Sequence, residues 1–156
     1  MHGVVPAAGE GTRLRPLTDA QPKGMVTVAG EPLLAHVFAT LCESGVDELI
    51  VVVGYRKAKI IEHFGDTYRG LPITYVHQRE PRGLGHAVLQ AAPHVDGPFV
   101  VCNGDNVFEA DLAWALEEYE QADADAAVVV ESVARETATD TGVVTVDDNR
   151  VTDIVE

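Results

Sequence analysis

An apolar run from Gly3 leads into Ala7-Ala8-Gly9-Glu10-Gly11-Thr12-Arg13, and Pro22-Lys23 follows ten residues beyond Arg13. Small residues let backbone N–H groups approach phosphate oxygens, Arg13 offers a planar fork that can bind two oxygens, and Lys23 adds a compact charge. At about 4 Å and an effective dielectric near 20, each cation–phosphate contact is worth on the order of 4 kcal/mol before desolvation. The chemistry this suits is gripping a polyphosphate. The spacing is not the GxxxxGK[ST] of a Walker loop. Nor is it a GxGxxG that opens directly into a helix, because Pro16 opposes immediate helix continuation. Asp105, in Asn103-Gly104-Asp105-Asn106, stands past the end of another apolar run. A carboxylate there can hold a hard cation that keeps several waters and bridges phosphates, although the same four residues also suit a plain turn.

Groups so far apart in sequence need elements that bring them to one edge. Strand-like apolar runs alternate with helix-like segments, which predicts an α/β fold with a mostly parallel central sheet and helices on both faces. Strands are predicted at Gly3–Ala7, Leu49–Val53, Ile73–His77, Phe99–Cys102 and Ala126–Val133. Pro32 and Gly45 bracket a helix through Leu34, Val37, Phe38 and Leu41, and further helices are predicted at Lys57–Phe64, Gly83–Ala92 and Leu112–Gln121. Near the C-terminus, Val143–Val146 and Val151–Val155 alternate around Asp147-Asp148-Asn149 as a β-hairpin would. With no linker, repeat or low-complexity tract, residues 1–156 are expected to form a single domain. The chain stops at Glu156 inside a strand pattern, so it is expected to continue in its parent protein, a natural short form being the alternative.

The string Gly9-Glu10-Gly11-Thr12-Arg13-Leu14-Arg15-Pro16-Leu17-Thr18 with Pro22-Lys23-Gly24-Met25 resembles the GxGTRLxPLTxxxPKxM signature of the sugar-1-phosphate nucleotidyltransferases. These include glucose-1-phosphate thymidylyltransferases and uridylyltransferases. The resemblance extends to Gly30–Leu34, to Gln78 with Pro81-Arg82-Gly83-Leu84, to Asn103–Asn106 and to Thr141–Val144. It implies a Rossmann-like nucleotidyltransferase fold and transfer of a nucleotidyl group from a nucleoside triphosphate, dTTP or UTP, to a sugar 1-phosphate such as glucose 1-phosphate. By the same resemblance Ala7 to Arg13 and Lys23 hold nucleotide phosphates, Gln78 and Gly83 read the base, Asp105 binds Mg2+, and Gly142 and Glu156 touch the sugar. Arg13, Lys23 and Asp105 are the expected catalytic set. In the family, a Lys-Pro pair that contacts the sugar phosphate and a second metal-binding aspartate follow the strand matching Val151–Glu156, and both lie past this chain's end. Ala8 stands where many relatives have glycine. Tyr55 and Arg56, after Gly54, either line the same mouth or form an exposed turn. His86, after the Gly83-Leu84-Gly85 turn, either faces the nucleotide or is a packing or capping residue, the commoner role at a helix start, and is assigned no role.

Composition limits the partners. Net charge is −14, and Lys23, Lys57 and Lys59 are the three lysines, which argues against nucleic acid, whose phosphates need a basic face. Apolar runs are far shorter than the roughly 20 residues of a membrane span, and no basic, apolar leader opens the chain, so a cytoplasmic location is expected. Self-association into a homo-oligomer stays open. Cys42 and Cys102 form no CxxC pair and the six histidines show no ligand spacing, so zinc is not expected. Acid excess, scarce lysine and an Ala/Val-rich core suggest a halophilic host, where salt near 1 M shortens the Debye length to about 3 Å. Two other readings stay open, a non-catalytic nucleotide- or sugar-nucleotide-binding module and a cytidylyltransferase of isoprenoid or cofactor synthesis.

Overall fold

The computed structural model describes residues 1–108, 112–122, 124–134, 136 and 142–155. They form two compact units, residues 1–116 and 117–156. In the first, β1 (His2–Ala7) is followed by the short strands β2 (Thr27–Val28) and β3 (Glu31–Pro32), then α1 (Leu33–Glu43) and β4 (Glu48–Val53). Next come α2 (Lys57–Phe64), β5 (Thr67–Tyr68), β6 (Leu71–His77), α3 (Leu84–Ala91) and β7 (Phe99–Val101). The main sheet has the order β5-β6-β4-β1-β7, with β6, β4, β1 and β7 parallel and β5 antiparallel at one edge.

The apolar spacing decides which face each helix covers. On α1, Leu34, Val37, Phe38 and Leu41 fall at i, i+3, i+4 and i+7 and are all fully buried. They pack with Ile60 and Phe64 of α2 against Val5, Leu49, Val51 and Val53, and Phe38 meets Phe64 edge-on at 4.8 Å. The alternate residues Val4, Ile50 and Val52 turn to the opposite face, where α3 covers them with Ala87 and Ala91. Each fully buried Leu or Phe contributes roughly 1.5–3 kcal/mol of transfer free energy. Ser44 and Gly45, the latter at φ 83°, end α1 where the sequence placed its stop.

Helix α4 (Ala113–Gln121) starts one residue after its predicted boundary. In the second unit β8 (Val143–Asp147) and β9 (Arg150–Val155) form the predicted hairpin, and the turn residues Asp148 and Asn149 have φ of 47° and 57°, as a type I′ turn requires. The expected strand at Ala126–Val133 does not form. Val128, Val129 and Val130 are 49–57% exposed. Valine's strand preference is a packing effect, and within the described residues of this unit only β8 and β9 pair.

Candidate active site

The parallel strands β1, β4, β6 and β7 end on one side of the sheet, and the residues following each strand build the candidate site. Open parallel sheets bind ligands at this carboxyl edge. After β1 the chain turns at Gly11, with φ 65° and ψ 37°. A Cβ there would stand 2.8 Å from Lys23 Cβ and 3.1 Å from Thr18 Cγ2, so conformation and space both call for glycine. Thr18, 2% exposed, donates its hydroxyl to the Gly11 carbonyl at 2.9 Å. Leu14 N–H donates to the same oxygen at 2.9 Å. Thr12–Leu14 is a single 3-10 turn with Arg13 exposed, and no α-helix continues it. Gly9 and Glu10 are also exposed, whereas Ala8 is buried.

A second 3-10 turn, Lys23–Met25, sits between buried Pro22 and Val26 and sets the start of the Lys23 side chain. The Lys23 ammonium donates to the Asp105 carboxylate, 82 residues away in sequence. Past β7 the chain stays against β1. Cys102 N–H donates to the Val4 carbonyl at 3.0 Å and Gly104 N–H to the Pro6 carbonyl at 3.2 Å. That ladder places Asp105 beside the loop. Burial, and secondarily the Asp105 charge, pushes the Cys102 thiol up to about 11.

The turns after β4 and β6 complete the edge. A Cβ on Gly54 would meet the Ala8 carbonyl oxygen at 2.8 Å and the Ala8 methyl at 3.0 Å, so glycine lets the two turns touch. Arg56, at φ 49°, donates from Nη2 to the Asp19 carbonyl at 3.0 Å and from Nε to the Tyr55 hydroxyl at 2.7 Å. It therefore ties the β4 turn to the far limb of the loop after β1, a link the sequence left undecided. After β6, Gln78 is 7% exposed, and its backbone N–H donates to the Val53 carbonyl at 2.9 Å. Its side-chain amide nitrogen lies 3.4 Å from the Gly83 carbonyl and 2.7 Å from His86 Nδ1.

The structure thus brings the segment from Ala7 to Arg13, Lys23 and Asp105 to one sheet edge, and pairs Gln78 with Gly83 at the same edge. Gly142 lies in the second unit just before β8, and Glu156 is outside the described residues. Sequence reasoning missed the support given by buried Thr18 and the contacts of His86. For Thr18 the signal was its place inside the matched string. Among the described residues no three His, Cys, Asp or Glu side chains converge as a metal cage. The Asp105 carboxylate, one-third exposed and beside the Lys23 ammonium, is an oxygen donor of the kind a hydrated magnesium ion would take.

Fold and site together define a nucleotide-handling α/β protein, and the chain belongs to the nucleotidyl transferase family, whose model matches residues 2–156. It is 50% identical to the UTP–glucose-1-phosphate uridylyltransferase AglF of Haloferax volcanii over all of this chain and 65% of that protein. The chain therefore spans less than two thirds of that relative's length. A UDP-glucose pyrophosphorylase structure from Acinetobacter baumanii aligns with TM-score 0.85 and 27% identity over 99% of this chain and 67% of that one. A Bacillus anthracis structure assigned as a glucose-1-phosphate thymidylyltransferase, in complex with sucrose, aligns with TM-score 0.90 and 25% identity over 100% of this chain and 64% of that one. The expected α/β architecture and family are both confirmed.

Proposed function

We propose that this chain forms the nucleotide-binding portion of a sugar-1-phosphate nucleotidyltransferase, both units belonging to one domain, with UTP and glucose 1-phosphate as substrates. The observation that carries the reading is the Lys23–Asp105 pair, which joins the phosphate loop after β1 to the carboxylate after β7. The identity with the Haloferax uridylyltransferase supports UTP over dTTP. A sugar-phosphate oxygen attacks the α-phosphorus in line and pyrophosphate leaves, with no protein nucleophile needed. Loop N–H groups, Arg13 and Lys23 hold the triphosphate and stabilise charge on the leaving side, while Gln78 and Gly83 orient the base. Asp105 would hold magnesium, which when bound supplies charge neutralisation between phosphate oxygens. Gly142 and Glu156 are proposed to face the sugar. Nucleoside triphosphates and sugar phosphates are cytoplasmic metabolites, which supports a cytoplasmic location.

The test is pyrophosphate release with a triphosphate panel, glucose 1-phosphate and magnesium. Removing one preorganised donor typically costs about 3–4 kcal/mol in the barrier, so Lys23→Ala should slow turnover by roughly 10²- to 10³-fold at unchanged circular dichroism. Wild-type turnover in that variant would sink the assignment. CTP as the preferred substrate would favour the cytidylyltransferase reading, and binding without pyrophosphate release would favour the non-catalytic one.

A further inference from the structure

His86 occupies the second residue position after Leu84 on α3, and its two ring nitrogens face two different amides. Nδ1 is 2.7 Å from the Gln78 side-chain nitrogen and Nε2 is 3.3 Å from the Gln90 side-chain nitrogen. The Gly83 carbonyl, 3.4 Å from the same Gln78 nitrogen, settles the polarity of this chain. A carbonyl oxygen only accepts, so the amide end facing it must be the NH2 end, since the reverse would set two oxygens against each other. The second hydrogen of that NH2 points to His86 Nδ1, which must then offer its lone pair. The ring proton sits on Nε2, and the Gln90 amide takes it with its oxygen after a half-turn that exchanges its two ends.

Among the described residues this arrangement leaves one atom of the Gln78 amide uncommitted, its carbonyl oxygen. Gln78 is 7% exposed, so turning the amide over would leave mismatched donors and acceptors where little water can repair them. We infer that His86 is a positioning residue for base choice, holding Gln78 with its oxygen toward the nucleotide. The inference rests on Gln78 as the base contact, as proposed above. An outward acceptor suits the N3–H of a uracil-type base. Cytosine presents a lone pair at N3 and meets that oxygen with repulsion. Selectivity between the two pyrimidines is thus set two contacts away from the base, by which imidazole nitrogen carries the proton.

The test compares UTP and CTP dissociation constants on the whole chain for wild type, His86→Leu, His86→Asn and Gln78→Ala, with melting temperatures recorded in parallel. His86→Leu removes the Nδ1 acceptor and should narrow the UTP/CTP ratio about tenfold, the scale of one hydrogen bond, without weakening binding of inorganic triphosphate. His86→Asn, whose side-chain oxygen stands near the former Nδ1, should restore the ratio. An unchanged ratio in a normally melting His86→Leu would overturn the inference. In the wild-type chain, 15N NMR should show Nδ1 unprotonated and Nε2 protonated, and the opposite tautomer would overturn it without any variant having to fold. If Gln78→Ala loses selectivity while His86→Leu keeps it, only the His86 step falls. If Gln78→Ala binds both nucleotides as the wild type does, the base-contact reading falls with it.

Discussion

Replacing Gly11 by alanine tests the loop directly, because two separate costs can be read from its surroundings. At φ 65° the backbone is left-handed, which costs an alanine about 1–2 kcal/mol. The added methyl would stand 2.8 Å from Lys23 Cβ and 3.1 Å from Thr18 Cγ2, an overpacking whose usual cost is roughly 1–3 kcal/mol. Lys23 is about one-third exposed and can give way, so a sum near the lower end, roughly 2–3 kcal/mol, is expected. At about 2–4 °C per kcal/mol for a chain of this size, the melting temperature should fall by roughly 4–12 °C. Triphosphate affinity should fall as well, since Lys23 is the side chain that must move. Gly9→Ala is the control. Among the described residues, no atom other than those of Gly9 and its chain neighbours lies within 4 Å of the added Cβ, so its melting point should stay within the small range of a neutral surface change. Its methyl would nonetheless crowd the N–H face offered to phosphate and weaken triphosphate binding. Scanning fluorimetry and titration calorimetry on both variants read these effects. Equal melting points for the two variants, or wild-type triphosphate affinity in Gly9→Ala, would refute the loop geometry.

Leu34→Ala removes a fully buried side chain from the core beneath α1 and should cost about 2–5 kcal/mol, seen as a lower urea midpoint at unchanged slope. Burial raises the Tyr75 hydroxyl to about 12 and is the larger cause of the Cys102 thiol's rise to about 11. The fold favours both protonated forms, so their contribution is complete below the ordinary values and is lost as pH rises through roughly 9 to 12. Melting temperature should therefore fall across that alkaline range, and a flat profile would contradict the burial of both groups. With a net charge of −14, raising KCl from about 0.1 to 2 M should raise the melting temperature, and a fall would count against a salt-adapted surface.

The long elements were legible because one periodicity dominates each of them. Leu34, Val37, Phe38 and Leu41 specify both the existence of α1 and its buried face, and the unbroken apolar run Leu49–Val53 reads as a strand covered on both sides. The hairpin β2–β3, and the short strand β5 that pairs with the predicted β6, were missed because two-residue strands carry no period. Their signal was in the turns, where Ala29-Gly30 and Arg69-Gly70 have positive φ at both residues, a role the sequence reading assigned only to Asn and Asp in the C-terminal hairpin. At Ala126–Val133 the composition pointed to a strand, but composition cannot supply a partner ladder. The site divides in the same way. Loop residues and Asp105 could be named singly, whereas their pairing depends on β1 and β7 being neighbours in the sheet, a long-range fact that spacing along the chain does not encode.

That pairing bears on how the loop receives a triphosphate. Lys23 and Asp105 are about equally exposed, at 35% and 36%, and an ion pair so open to solvent stabilises a fold by about 0–1 kcal/mol. Its weakness suits the proposed role. A lysine side chain held in one orientation loses up to about 2 kcal/mol of rotamer entropy, and the resting pair takes on part of that loss before any ligand arrives. In that role an entering triphosphate would let the ammonium exchange a carboxylate for phosphate oxygens, and little would have to be broken. The backbone makes the exchange local, since the 3-10 turn behind Lys23 is seated by buried Pro22 and Gly24 and the Asp105 turn is hydrogen-bonded along β1. A strong, buried pair at this position would hold the lysine against its ligand. A lysine with no partner would leave the whole ordering cost to be met on binding.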